Sequence, residues 1–287
     1  MRDGPYRGAT VLLATMHGKE RAAAPPFRRH LGASVTVPPG LDTDALGTFS
    51  GEIPRRGTAL ETARAKAMLA AGATGLALAS EGSFGPHPSV PFLALGTELL
   101  LFLDRHRGLE LVEALPSLRT NFRHAVLAPD APADELDRTL AAMRFPSHAV
   151  IVLPDNPAAG ASFVAKGLRS IDAVAAALRG AADASMNGRA RVETDMRAHM
   201  NPTRMRVIRA AATRLALRLA TPCPACAAPG WGRAGLVPGL PCGWCGTPTS
   251  VPRAEALACA ACGHRAERPL RNAPAAADPG RCPECNP

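Results

Sequence analysis

Short apolar runs alternate with amphipathic stretches along residues 1–220. Runs rich in Val, Leu and Ile at 10–15, 34–37, 75–80, 98–104, 108–114, 148–153 and 190–194 predict buried strands. Helical periodicity falls at 59–71, 133–143, 170–178 and 202–219, with a short further candidate at 27–31. Two helix starts carry clear signals. Thr58-Ala59-Leu60-Glu61 reads as a capping box, Thr58 as N-cap and Glu61 reaching back to it. Asn201-Pro202 puts an N-cap before a proline at the first helical position, where a missing N–H does no harm. In the helix that follows, Met205, Ile208, Ala212, Leu215 and Leu219 make one apolar stripe. Arg206, Arg209, Arg214 and Arg218 lie around the rest as a solvated face, and Arg204 stands apart at the helix N-terminus. The segments around Pro25-Pro26, Pro38-Pro39 and 155–160 read as turns. The expected architecture is an α/β domain over 1–220, a mixed sheet with flanking helices.

The remaining segment, 221–287, has a different character. All eight cysteines lie there, as Cys223/Cys226, Cys242/Cys245, Cys259/Cys262 and Cys282/Cys285. A Cys-x-x-Cys turn lets two thiolates grip one metal, and two such knuckles complete a tetrahedral S4 site. Four knuckles predict two closed sites, structural rather than catalytic because no position is left for water. Zinc is the expected ion and iron its main rival. Disulfides and redox chemistry are less apt for four strictly paired knuckles in tandem. Sequential sharing, first knuckle with second and third with fourth, is the first expectation. Pairing of the middle two is the second, and an interleaved cross-brace the last. His264 is expected at the surface. So small a module takes its folding energy from the metal.

Composition adds little on fold and something on partners. Hydrophobic residues make up 47% of the 287, enough for a packed core. The net charge of +9 favours anionic partners, nucleic acid or nucleotide, or simply a scatter of surface arginine. The tail mixes Arg233, Arg253, Arg265, Arg268, Arg271 and Arg281 with Glu255, Glu267, Asp278 and Glu284, a weak nucleic-acid footprint. The longest apolar runs are far too short to span a bilayer. With no clean signal-peptide cleavage site near the start, a cytoplasmic protein without membrane attachment is expected.

Four polar clusters are candidates for chemistry. The first is Thr15-Met16-His17-Gly18-Lys19-Glu20, at the C-terminal end of the first strand, where α/β sheets bind ligands. The second is Gly51-Glu52-Ile53-Pro54-Arg55-Arg56-Gly57, running into the helix that carries Glu61, Arg64 and Lys66. The third, Ser80-Glu81-Gly82-Ser83-Phe84-Gly85-Pro86-His87-Pro88, reads as a shaped loop after an apolar strand. The fourth brings Glu193 and Asp195 to a strand end, with Arg197, His199 and Arg204 before a helix. Each has a plain structural alternative: a turn, a cap, a solvated face or a salt-bridged connector.

Along the whole chain the sequence resembles an uncharacterised bacterial family, a domain of unknown function with a zinc-ribbon tail. The resemblance is carried by residues 14–20, 47–55, 79–88 and 192–199 and by the knuckles. Over about 10–105 it is also similar, more distantly, to nucleotide pyrophosphatases that clear inosine and xanthosine triphosphates. Thr15 and Lys19 correspond to their opening Thr-x-Asn-x-x-Lys, with His17 in place of the Asn and the spacing one residue short. Thr58-Ala59-Leu60-Glu61-Thr62-Ala63-Arg64-Ala65-Lys66-Ala67 matches their Thr-x-x-Glu-Asn-Ala-x-x-Lys-Ala except at Thr62, and Glu81-Gly82-Ser83 stands at their acidic strand end. This likeness implies that Glu61 and Glu81 help hold magnesium while Lys19 and Lys66 contact phosphate.

Two functions follow as expectations. The first is a magnesium-dependent nucleotide hydrolase. Glu61, Glu81, Glu193 and Asp195 would form its acidic centre; Thr15, His17, Lys19, Lys66, His87, Arg197, His199 and Arg204 would contact a nucleotide or phosphorylated small molecule. It expects Lys19, Glu61, Glu81 and Asp195 to converge on one cleft. The second is a non-enzymatic module that binds nucleic acid or protein through the basic helix and the zinc tail.

Overall fold

The structure, a computed structural model, describes residues 4–41, 57–160 and 163–287. It has the expected mixed α/β architecture, with the strands before residue 220 divided between two sheets. The first sheet has the order β2-β1-β3-β4-β5. It is formed by β1 (Thr10–Ala14), β2 (Ser34–Thr36), β3 (Leu76–His87), β4 (Val90–Asp104) and β5 (Leu109–Ser117). β1 runs parallel to both neighbours, and the β3-β4-β5 meander is antiparallel.

Both faces of this sheet are covered. α1 (Glu20–Leu31) and α5 (Pro202–Leu219) pack on the face formed by Val11, Leu13, Leu78, Leu100 and Phe102. α2 (Ala59–Ala70) covers the other face, through Ala63 and Ala67 against Ala77, Ala79 and Leu101. Burial on both faces explains why the first half of β3 reads as a continuous apolar run rather than an alternation. Consecutive crossovers therefore run in opposite directions across the sheet, the first from β1 to β2 and the second from β2 back past β1 to β3. α1 leads to β2 on one side, and α2 leads to β3 on the other. That makes the carboxyl end of β1 a topological switch point, the position where open α/β sheets form a ligand crevice.

The second sheet, β6-β9-β7-β8, is antiparallel throughout and has its own core. Its strands are β6 (His124–Leu127), β7 (Val150–Pro154), β8 (Ala165–Leu168) and β9 (Ala190–Thr194). Leu136 and Leu140 of α3 (Ala133–Ala142) and Val174 and Leu178 of α4 (Ile171–Asp183) cover Val150, Val152 and Val192. The connector from β9 to α5 joins the two sheets, with a short 3-10 turn at Ala198–Met200.

Three sequence expectations change. α1 begins at Glu20 and runs through Pro25 and Pro26, read above as a turn; the two prolines stand at its middle, and Pro26 and Phe27 are buried against the core. Burial of this face outweighs the poor local propensity. The predicted loop 80–88 is instead strand, because β4 pairs with β3 as far as His87 and satisfies its backbone. The strands β6 and β8, four residues each, are too short to stand out.

The tail forms an antiparallel meander, β10 (Gly232–Pro238), β11 (Pro252–Ala258) and β12 (Arg265–Pro269). Arg218 of α5 fastens it to the first sheet, donating to the carbonyls of Gly230 and Val112. Among the described residues no helix is long and apolar enough to cross a membrane.

Candidate functional site

At the carboxyl end of β1 the chain turns sharply. The Thr15 hydroxyl accepts the His17 N–H, and Gly18 takes a left-handed φ of 67°. The turn aims Lys19 back beneath the loop, where it is buried. Its Nζ donates to the Ser80 carbonyl at 2.8 Å and the Ser80 hydroxyl at 3.4 Å. Among the described residues Lys19 has no carboxylate within ion-pair distance. Burial, and then the nearby Arg204 guanidinium, push its pKa down to about 8.

Two buried ion pairs flank it, one on each face of the sheet. Lys66 of α2 meets Glu81 of β3 at 2.6 Å, and Arg204 of α5 meets Glu98 of β4 at 2.6 Å. Arg204 also donates to the Met196 carbonyl and lies over the Phe84 ring. Three buried cations, Lys19, Lys66 and Arg204, thus lie close enough to feel one another's charge, with two buried carboxylates, Glu81 and Glu98, among them. A buried cation without a counter-charge is unfavourable, so this arrangement favours entry of an anion.

The strand opposite Glu98 must leave room for this. Gly82 pairs with Glu98, and a Cβ at residue 82 would stand 2.8 Å from Glu98 Oε1 and collide with the Arg204 guanidinium. Gly82→Ala is expected to lower stability by about 1–3 kcal/mol, the usual cost of overpacking. Chemical denaturation measures it; an unchanged midpoint would show that the pair is loosely held.

The connector before α5 packs against this turn. Its His199 ring stacks on His17 with centroids 5.1 Å apart. Burial and the adjacent Arg197 lower the pKa of His199, which favours the neutral imidazole. Asp195 is fully buried and its carboxylate is held by Arg197 at 2.6 Å. Asn201 caps α5 by accepting the Arg204 N–H.

The other predicted site residues do not meet this group. Glu61 is exposed, and one carboxylate oxygen accepts from the Thr58 N–H and hydroxyl, so it acts as the cap. It stands about 140° around α2 from Lys66 at 100° per residue. Glu193 sits within β9, paired with Arg191 at 3.5 Å, its pKa raised by burial. His87 lies at the far end of β3, six residues and about 20 Å from Glu81. In the second cluster, residues 51–56 lie outside the described residues. The magnesium arrangement implied by the triphosphatase likeness is therefore not formed by these residues. Glu61 and Glu81 do not face each other, and Glu81, Glu98 and Asp195 each hold a cation.

Glu98 was not singled out in the sequence, and Ser80 entered only as the first residue of the third cluster. The available signal for Glu98 was a carboxylate heading the run of residues 99–103: so placed in a doubly covered strand, it needs a buried cation.

The cysteines gather into two clusters, Cys223/Cys226/Cys259/Cys262 and Cys242/Cys245/Cys282/Cys285. This is the interleaved cross-brace, not the sequential pairing expected first. The meander imposes it. Gly232 at the start of β10 faces Ala258 at the end of β11, which brings the first and third knuckles together. The other end of β11 pairs with the end of β12, which joins the second and fourth. Seven-residue strands hold the two ends about 20 Å apart at 3.4 Å per residue.

The sulfur geometry fits a metal. The Sγ–Sγ separations of 3.8, 3.8, 3.8 and 3.5 Å match the ~3.8 Å edge of a tetrahedron with ~2.3 Å zinc–sulfur bonds. They are far from the ~2.05 Å of a disulfide. In every knuckle the N–H four residues on closes back onto the carbonyl of the first cysteine, from Ala227, Gly246, Gly263 and Asn286 in turn. Each cluster can hold one zinc ion.

No curated protein matches the chain, so the triphosphatase likeness rests on the residues quoted for it. A family model, Domain of unknown function (DUF6671), matches residues 64–287, from within α2 through both cysteine clusters. The chain belongs to the DUF6671 family.

Proposed function

We propose that the protein recognises a phosphorylated small molecule of the nucleotide class at the carboxyl end of β1, with structural zinc ions in both cysteine clusters of its tail. The observation that carries this reading is Lys19: a buried cation with no carboxylate of its own among the described residues, at the switch point of the sheet. Lys19 supplies the charge, and the Gly18 turn brings backbone close to the ligand. Lys66 and Arg204, held by Glu81 and Glu98, keep the local potential positive without moving. The stacked His17 and His199 rings offer a flat wall on which a base can rest.

The reading stops at recognition. Nearby carboxylates are committed to cations, and no step through magnesium is derived from them. A panel of nucleoside triphosphates, inosine and xanthosine triphosphates included, tests this on zinc-loaded protein with and without magnesium. Binding without release of phosphate or pyrophosphate is the expected result. Magnesium-dependent release abolished by Glu81→Gln would restore the hydrolase reading. A panel in which nothing binds would overturn the assignment of the site.

A further inference from the structure

A second basic region lies away from Lys19, on the outer side of α5. A cleft of about 640 Å³ opens between the end of β5, the turn before β7 and the exposed face of α5. Arg119, Arg144, Arg206 and Arg214 line it, and among the described residues no carboxylate does. Arg119, Arg144 and Arg206 have no carboxylate within ion-pair distance among the described residues, and Arg214 reaches Glu113 only at 3.9 Å.

Two of these arginines are held in place by a neutral group. The buried Thr203 hydroxyl accepts from Arg144 at 2.9 Å and from Arg206 at 3.2 Å. The Thr203 backbone N–H donates to His148 Nε2, so that nitrogen is an acceptor and the hydroxyl proton points to it. Arg144 itself has a φ of 65°, a left-handed conformation that an arginine adopts only under constraint. Guanidinium groups pinned by a hydroxyl, rather than neutralised by an acid, keep their outer N–H donors for a ligand.

The charge continues toward the tail. Leu115 and Arg214 are shared with a second cleft of about 580 Å³, lined also by Arg218 of α5 and Arg233 of β10 and, among the described residues, by one acid, Glu113. Three arginines there outnumber a single lining carboxylate, and Arg233 also lies 3.7 Å from Glu255. From Arg206 to Arg218 is about 18 Å along the helix at 1.5 Å per residue. A single phosphate fills one end of such a track, and a polyanion spans it. Trp231, two residues before Arg233, is half-buried and stacks on the exposed His264 with centroids 5.1 Å apart, which adds an aromatic face. Arginine track and aromatic face together are the features of a single-stranded nucleic-acid surface.

We propose that this track, from Arg144 and Arg119 through Arg214 to the zinc-bound tail, binds the phosphodiester backbone of single-stranded nucleic acid. Fluorescence anisotropy with a labelled 20-nucleotide RNA or DNA strand and the full zinc-loaded chain tests it. Arg144→Ala combined with Arg206→Ala is expected to weaken binding at least tenfold. It should also flatten the log–log salt dependence by about 1.4, at about 0.7 per lost phosphate contact. Arg119→Glu, an exposed position with no side-chain hydrogen bond to lose, should weaken binding with the fold intact, as circular dichroism verifies. The comparison pair is Arg28→Ala with Arg29→Ala, in the separate cleft beside Arg7; it should change affinity less than twofold. Equal loss from both pairs would reduce the effect to net charge and overturn the proposal. So would absence of binding, or tighter binding of inorganic polyphosphate or a poly-glutamate peptide than of the nucleic acid.

Discussion

Cys223→Ser is expected to lower bound zinc from two ions per chain to one, and adding Cys259→Ser to lower it no further. Both residues belong to one cluster, so the second substitution strikes a site already broken. Cys223→Ser with Cys242→Ser, by contrast, empties both sites. Sequential sharing of the knuckles would reverse the two outcomes, because Cys223 and Cys242 would then serve one ion. Metal content after dialysis against a competing chelator distinguishes them. The structural effect is large. Zinc contributes about 10–16 kcal/mol of apparent folding energy to small Cys-rich modules. β12 is exposed throughout and buries little of its own. Stripping both ions is therefore expected to dissolve the β10-β11-β12 meander, and far-UV circular dichroism would report it. The first two sheets, with separate cores, remain folded.

Lys19→Met is expected to weaken ligand binding severely while leaving the chain at least as stable at pH 7. The direction follows from linkage. The folded-state pKa of Lys19 is about 8, below its ordinary 10.5. Below pH 8 the group is charged in both states, and the folded protein bears the full cost of the buried charge. Between about 8 and 10.5 the unfolded chain holds the extra proton, so the Lys19 contribution to stability rises with pH. The stability gap between Lys19→Met and wild type should therefore narrow over that window, by thermal denaturation of both proteins across pH. A gap that widens with pH would contradict the burial of a charged Lys19. Ligand affinity moves the opposite way. It falls above about pH 8 as Lys19 loses its proton, and binding near that pH takes up protons from the buffer.

The sequence was most informative where local chemistry decides structure. The capping box at Thr58 and Glu61 and the Asn201-Pro202 start are formed as read, because each depends on residues three or four apart. Runs of buried aliphatic residues located the strands of the first sheet, and β1 with its polar loop pointed to the switch point. What the sequence concealed depends on pairing over long distances. β4 turns the glycine- and proline-rich residues 81–87 into strand, and that moves His87 to a hairpin end while keeping Glu81 in the core. Glu98 and Arg204, 106 residues apart, meet only because α5 returns to cover β4. Knuckle pairing is set by which strand ends coincide, and the weakly apolar strands of the tail left no pattern from which to see it.

The same distinction separates the two roles of glutamate in the site. Glu61 was selected by motif, and the structure uses it locally, as a cap. Glu81 was selected by the same motif reasoning and is buried beside Lys66, where its charge helps hold a cation rather than bind one from solution.

The central claim is that Lys19 holds a phosphorylated ligand at the carboxyl end of β1. Isothermal titration of pyrophosphate into zinc-loaded protein at pH 7, in magnesium-free buffer, tests it most directly, with wild type and Lys19→Met side by side. One saturable site is expected in the wild type. Binding to Lys19→Met is expected to be at least about thirtyfold weaker, the lower end of the ~2–5 kcal/mol that loss of one partner of a buried charge pair costs. Equal affinity in the two proteins, with both folded and carrying two zinc ions, would contradict it.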